Sequence, residues 1–183
     1  MIKSRRILGI DPGTNILGFG IIELKDNDPI VLELNVLHLK TWIDHQSKLK
    51  EIFLRVQEII ETYQPDSLSI ESPFFGKNAQ SMHKLGRAQG VAIAAAMVMG
   101  VEIHEFSPKQ IKKSITGNGN ATKEQVALML KSILHFNIKS KYHDATDALA
   151  AAVCLLYQTH KPAGNKSGTS WKKFIVQNPQ RVV

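Results

Sequence analysis

The hydrophobic residues near the start of the chain follow a pattern typical of β-strands. Short apolar runs cover residues 6–10, 17–24 and 30–39, and the turn-forming sequence Asp11-Pro12-Gly13 follows the first run. Short connections between successive strands favour antiparallel hairpins. The pattern therefore predicts three antiparallel strands at the start of the fold.

The spacing of apolar residues then changes to that of helices. Apolar residues between Leu49 and Tyr63 share one helical face, and Pro65 ends this helix. We then expect a strand over 67–70 that ends in Glu71, a helix over 79–99, a strand over 101–105, and helices opened by Ser107-Pro108, by a capping box at 122–125 and near residue 144. Strands that alternate with helices predict an α/β fold with a mixed sheet and helices packed on it.

Composition narrows the class of protein. The chain has 183 residues, 43% of them hydrophobic, which suits one packed domain. Lys and Arg outnumber Asp and Glu by 23 to 16, for a net charge of +7. A basic balance favours an anionic partner, and nucleic acid, an acidic protein and a membrane surface all meet that condition.

The organisation of the chain points to one domain and a tail. From 161 to 183 the sequence has five Lys or Arg and no acid, so we expect a domain over 1–160 followed by a basic tail over 161–183. The longest apolar stretch, Gly90 to Val101, has 12 residues, too few to span a bilayer, and is expected to form a buried helix. With no secretory signal and one cysteine, Cys154, the protein is expected to be cytoplasmic, free of disulfides and without a membrane partner.

Acidic residues stand where strands end and where a helix begins. Asp11 follows the apolar run 7–10, Glu71 follows 68–70, and Asp144 and Asp147 are three residues apart at a helix start. Any one of them could be a turn residue or a helix cap. Together they would repel unless a cation lay between them, and hard oxygen ligands suit Mg²⁺ or Mn²⁺. Two such ions can activate a water and stabilise the leaving oxygen of a phosphodiester.

Four segments of the chain resemble one nuclease family. ILGIDPGTNILGFGII, SIESPFFGKNAQSMHKLGRAQGVAIAAA and HDATDALAAAV are similar to the three catalytic blocks of RuvC Holliday junction resolvases, and SPKQIKKSITGNGNATKEQV resembles the DNA-contacting region of that family. The resemblance implies an RNase H-like fold, a central mixed five-stranded sheet with helices on both faces. It also implies a metal-dependent endonuclease that makes symmetric paired nicks in four-way DNA junctions during homologous recombination and DNA repair.

The resemblance also implies roles for individual residues. It implies two Mg²⁺ ions per subunit, which Mn²⁺ can replace. The catalytic carboxylates that bind these ions are then Asp11, Glu71, Asp144 and Asp147. Some family members have a histidine in place of the first acid of the last pair. Here the spacing puts Asp144 in that place, so its neighbour His143 stays outside the catalytic set.

Further residues are candidates for contact with DNA. The resemblance implies that Lys112 and Lys123 contact or stabilise phosphates near the cut and that Phe74 stacks on bases at the crossover. Lys77, with Lys84 and Arg87, could line a DNA groove or form a solvated surface. The expected partners are four-way junction DNA, a second copy of the chain in a homodimer, and the RuvA–RuvB branch-migration complex that the resemblance implies.

Two other functions fit parts of the sequence. The segment from Asp11 to Gly20 also resembles the first phosphate loop of actin-like ATPases, which need a second domain and further glycine-rich loops. No Gly-Gly pair occurs in this chain. A junction-binding protein without catalytic activity would keep the fold and lose acids, whereas all four acids are present. Cleavage of a synthetic junction with and without Mg²⁺ separates the alternatives.

Overall fold

The computed structural model describes residues 5–26, 28–42, 44–72, 78–135 and 143–159, and at 143 and 144 it describes the backbone alone. Its strands are β1 (Arg5–Asp11), β2 (Ile16–Lys25), β3 (Asp28–His38), β4 (Ser67–Glu71) and β5 (Glu102–Phe106). Its helices are α1 (His45–Tyr63), α2 (Ala79–Val98), α3 (Pro108–Thr116), α4 (Lys123–Leu134) and α5 (His143–Thr159). The predicted elements are confirmed, with ends that differ by a few residues.

The five strands form one mixed sheet in the order β3-β2-β1-β4-β5. β1, β2 and β3 pair as antiparallel neighbours, as the short connections between them predicted. β4 lies parallel to β1, and β5 lies parallel to β4. The carboxyl ends of β1, β4 and β5 therefore meet at one edge of the sheet.

Helices cover both faces of the sheet, and each face has its own hydrophobic core. Residues of α3, α4 and α5 pack on one face, where Ile7 of β1 is buried among them. Residues of α1 and α2 pack on the other face, where Leu8 and Ile10 are buried. Successive strand residues point to opposite faces, so both sides of the apolar strand β1 are covered. The expected fold class is confirmed.

The helix boundaries follow from capping residues. Ser107 caps α3 and forms a reciprocal capping box with Gln110, and Thr122 does the same for α4 with Gln125. Such boxes satisfy backbone donors that the first helical turn leaves without partners. At its other end, α1 stops at Gln64, whose left-handed backbone (φ 48°) directly precedes Pro65.

The expectation that the apolar segment Gly90 to Val101 forms a buried helix holds for only one side of α2. The buried side consists largely of alanines, which let the helix pack closely on the core below it. Met97 and Val98 lie on the outer side, where they are 62% and 72% exposed. Part of the hydrophobic surface of α2 is therefore exposed.

Three further expectations concern the membrane, the cysteine and the tail. No helix in the described part of the chain is both long and apolar enough to cross a bilayer. Cys154 is buried in α5, and burial raises the pKa of its thiol, which disfavours the reactive thiolate. Residues 160–183 lie outside the described residues, so the boundary between domain and tail stays a prediction.

Candidate active site

Asp11 and Glu71 lie side by side at the carboxyl ends of β1 and β4. The parallel register of these strands pairs Ile10 with Ile70, which puts the next residues, Asp11 and Glu71, level with each other. Ile10 and Ile70 are buried in the core under α1 and α2. Because side chains alternate along a strand, the two acids project from the opposite face, the one that α5 covers.

A glycine in β1 lets α5 approach this pair. A Cβ atom on Gly9 would lie 2.0 Å from the backbone oxygen of Ala148, so no other residue fits there without displacing the helix. The hydroxyl of Ser69 in β4 donates a hydrogen bond of 2.6 Å to the backbone oxygen of Ala151. Both contacts hold α5 directly over β1 and β4. Asp147, which adjoins Ala148, is thereby brought over the ends of these strands.

Two lysines complete the site from the same face. Lys112 of α3 and Lys123, the first residue of α4, line a cavity of about 180 Å³ together with Glu71 and Asp147. The Lys123 Nζ atom lies 2.5 Å from Oδ2 of Asp147. The structure therefore brings together two predicted acids and two predicted phosphate-contacting lysines around one solvent-open cavity.

The electrostatics of the site show how closely these charges interact. Burial, and after it the charge of Asp147, raise the pKa of Glu71, while Lys123 and Lys112 partly offset that rise. The pKa of Lys123 is raised first by its hydrogen bond to Asp147 and further by the charges of Asp147, Asp11 and Glu71. One ammonium group thus lies in the combined field of three carboxylates.

The carboxylate oxygens of this site are suitable ligands for a divalent cation. Within the described residues, no three acidic, histidine or cysteine side chains are close enough to hold a metal ion by themselves. The fourth expected ligand, Asp144, lies in the first turn of α5, and its side chain is outside the described set. Carboxylate oxygens that already attract the Lys123 ammonium are hard donors of the kind that Mg²⁺ prefers.

The remaining predicted residues divide between described and undescribed parts of the chain. Phe74 and Lys77 lie outside the described residues. Lys84 and Arg87 are exposed on α2. The role of Gly9 was not predicted from the sequence, although a glycine inside an apolar strand signals a close approach of another backbone. Lys48, whose ammonium donates hydrogen bonds to Thr14 and Asn15 in the turn after Asp11, was not expected at the site either, because nothing in the local sequence distinguishes it from other lysines on α1.

A mixed sheet in this order, with acids at the ends of its two central parallel strands and a helix laid over them, defines a nuclease of the RNase H-like class. Residues 7–155 match the family model described as crossover junction endodeoxyribonuclease RuvC. The chain belongs to the RuvC family, which is a family of metal-dependent nucleases.

Individual relatives agree with this assignment. The RuvC of Christiangramia forsetii is 54% identical over 100% of this chain and 95% of its own length. The RuvC of Bacteroides fragilis is 50% identical over 99% of this chain and 97% of its own. A solved structure of Thermus thermophilus RuvC in complex with a Holliday junction substrate superposes with a TM-score of 0.79 at 29% identity, covering 85% of this chain and 94% of that one.

Proposed function

We propose that this protein is a Holliday junction resolvase, a metal-dependent endonuclease that makes symmetric paired nicks in four-way DNA junctions during homologous recombination and DNA repair. One observation carries the proposal: Glu71 and Asp147 line a cavity open to solvent together with Lys112 and Lys123, and Asp11 lies level with Glu71 on the neighbouring strand. A cation-attracting acidic site on an RNase H-like sheet suits phosphodiester hydrolysis. The similar Thermus protein was solved with a Holliday junction substrate.

The four acids would hold two Mg²⁺ ions per subunit, which Mn²⁺ could replace. Asp11 and Glu71 would contribute from the strand ends, and Asp144 and Asp147 from the first two turns of α5. When bound, the ions supply an activated water and stabilise the oxygen that leaves phosphorus. The protein's own contribution is to fix the carboxylates on two strands and a helix whose packing leaves little freedom to move.

Lys112 and Lys123 would act on the phosphate. Lys112 lines the cavity, and the Lys123 side chain is 74% exposed despite its contact with Asp147. A strand whose phosphate enters the cavity can therefore take over Lys123 as a partner. Both ammonium groups would then neutralise charge on the phosphodiester as a water oxygen bonds to phosphorus and the bond to the leaving oxygen breaks.

The proposed function implies binding partners and a cellular location. A four-way junction has two equivalent strands to be cut, so a homodimer with two sites would match its symmetry. The RuvA–RuvB branch-migration complex is the partner that membership of this family suggests. A DNA-processing enzyme of this kind would act in the cytoplasm.

A synthetic four-way junction with a movable crossover tests the proposal directly. The labelled junction and a linear duplex of the same sequence would be incubated with the protein in Mg²⁺, Mn²⁺ or EDTA. We expect paired symmetric cuts in the junction with either metal, no cuts in EDTA, and little cutting of the duplex. Tight binding without cleavage under every condition would support the non-catalytic alternative. ATP hydrolysis without cleavage would support the ATPase alternative.

A further inference from the structure

A cluster of basic residues lies on the face of the sheet opposite α5. It consists of His45 and Lys48 in the first turn of α1 with Lys84 and Arg87 in the first half of α2, and we call it the α1–α2 basic surface. α1 and α2 pack against each other on this face. It is separate from Lys112 and Lys123, which approach the carboxylates from the face that α5 covers.

The topology places the α1–α2 basic surface at the catalytic edge of the sheet. β3 ends at the edge where β1 ends, because both pair antiparallel with β2, and α1 begins soon after β3. α2 begins after the segment that follows Glu71, so it starts at the same edge. The N-terminal ends of both helices, which carry partial positive charge, therefore face the side where DNA would lie.

One contact ties this surface to the catalytic strand. The ammonium of Lys48 donates hydrogen bonds of 3.2 Å to the backbone oxygen of Thr14 and to Oδ1 of Asn15. Thr14 and Asn15 lie in the connection that directly follows Asp11 and leads into β2. The basic surface and the acidic cavity are thus joined through one short turn.

The positive charges of the surface act on one imidazole. The pKa of His45 is lowered first by burial and then by the charges of Arg87, Lys84 and Lys48, while Asp44 has a smaller opposing effect. The Nε2 atom of His45 is buried and has no hydrogen-bond partner in the described part of the molecule. Three cationic side chains therefore come together around His45, whose Nε2 atom has no hydrogen-bond partner among the described residues.

Little negative charge balances this convergence. Among the described residues, Lys48, Lys84 and Arg87 form no ion pair with an acid. The first turns of α1 and α2 contain no acidic residue. Asp44, the N-cap of α1, already accepts hydrogen bonds from the backbone N–H and the hydroxyl of Ser47. Like charges brought together without counterions repel, and a bound polyanion relieves the repulsion.

We propose that the α1–α2 basic surface is a second phosphate-binding site, which holds the backbone of a DNA arm at a distance from the bond that is cut. The inference rests on the proposed function and extends it. Basic residues then lie on both sides of the carboxylates, with Lys112 and Lys123 on the α5 side and the α1–α2 basic surface on the other. One DNA backbone can cross the sheet edge between these two groups of basic residues. This surface contributes affinity and orientation of the arm, and the chemistry stays with the acids and with Lys112 and Lys123.

The salt dependence of junction binding tests the proposal. Binding would be measured in EDTA, where no cleavage occurs, for the wild type, Lys84→Ala, Arg87→Ala and the double variant. These side chains are exposed, so the fold should tolerate their removal. Each lost phosphate contact should flatten the slope of log affinity against log salt by about 0.9, and the double variant by about 1.8. Lys50→Ala, at an exposed lysine of α1 outside the surface, is the matched control and should keep the wild-type slope.

Neutral methylphosphonate linkages would then locate the contact. One linkage at a time would be made neutral along the arms. At a few positions away from the cut, this change should weaken binding by the wild type but leave binding by the double variant unchanged. Neutralising the phosphate at the cut should weaken both proteins equally. An unchanged salt slope in the double variant, or equal losses in both proteins at every arm position, would overturn the inference. If the wild type itself shows no preference for the junction over duplex, the proposed function fails instead.

Discussion

The ammonium nitrogen of Lys123 lies 2.5 Å from Oδ2 of Asp147, at the point where the N-terminal parts of α4 and α5 come together. Both helices pack on the same face of the sheet, where α5 lies over β1 and β4 and α4 packs beside α5 and against β3. The contact places a positive charge within the field of Asp11 and Glu71 as well.

The acids should be essential for cleavage and dispensable for binding. Asp11→Asn and Asp147→Asn keep the shape of the side chain and remove its charge, so we expect cleavage to fall by roughly 10²- to 10³-fold or more with junction affinity nearly unchanged. Cleavage rates and binding in EDTA would be measured side by side. Asp26→Asn, at an exposed turn between β2 and β3, is the control. Normal cleavage by either active-site variant would refute the assignment.

Glu71 should make the metal-free protein less stable as the pH rises. Its pKa is raised by burial and by Asp147, so the folded state holds this proton more tightly than the unfolded chain does. Stability should therefore decline as the pH increases from the ordinary glutamate range through the raised pKa. In EDTA, Glu71→Gln should raise the melting temperature at neutral pH and change it little near about pH 4, where both states are largely protonated. An equal shift at both pH values would point to a packing effect.

Two measurements should show whether Lys112 and Lys123 contribute to DNA binding or to the rate of cleavage. Replacing a lysine that contacts phosphate in the bound complex should flatten the salt slope by about 0.9. A lysine that acts only in the transition state should instead lower the cleavage rate and leave that slope unchanged. Lys112→Ala and Lys123→Ala would be compared with Lys131→Ala, an exposed residue in the last turn of α4. If both variants keep the wild-type salt slope and the wild-type cleavage rate, the two lysines belong to the solvated surface and have no role at the site.

Phe74 should act on the bases at the crossover. Stacking on an unpaired base is worth about 1–3 kcal/mol by alanine substitution. Phe74→Ala should therefore reduce junction distortion, read from a fluorescent base analogue at the crossover, and slow cleavage. Phe74→Tyr should restore both, because it keeps the aromatic ring. A large fall in melting temperature for the alanine variant would indicate a packing role instead.

The outer side of α2 should form the contact between two subunits. Met97 and Val98 are apolar and largely exposed, and Ile93 lies half-buried beside them. Light scattering should show a homodimer for the wild type and a monomer for Met97→Glu combined with Val98→Glu, because burying unpaired charges opposes association. Leu128→Glu, at an exposed apolar residue of α4, should leave the dimer intact.

Dimerisation should also couple the two cuts. On a supercoiled plasmid with an extruded cruciform, the wild-type dimer should cut both strands within one binding event and give a linear product with ligatable ends. The variant with glutamates at positions 97 and 98 should give mostly nicked circles. A wild type that stays monomeric on the junction and makes only uncoupled nicks would refute the dimer.

The sequence by itself determined the secondary structure and the kinds of residue in the site. Strand and helix positions depend on local alternation, and helix starts depend on capping side chains within three residues, such as Ser107 with Gln110. The acids at the ends of β1 and β4 were recognisable for the same reason. Each is an isolated charge that directly follows an apolar strand.

Only the tertiary structure decided how these pieces meet, because strand order, register and helix packing depend on contacts between residues far apart in the chain. The register that sets Asp11 level with Glu71 comes from pairing across about 60 residues of sequence. The close approach of α5 depends on Gly9 lacking a Cβ opposite Ala148. The position of Lys123 among the acids depends on α4 packing beside α5, a long-range contact that no local pattern encodes.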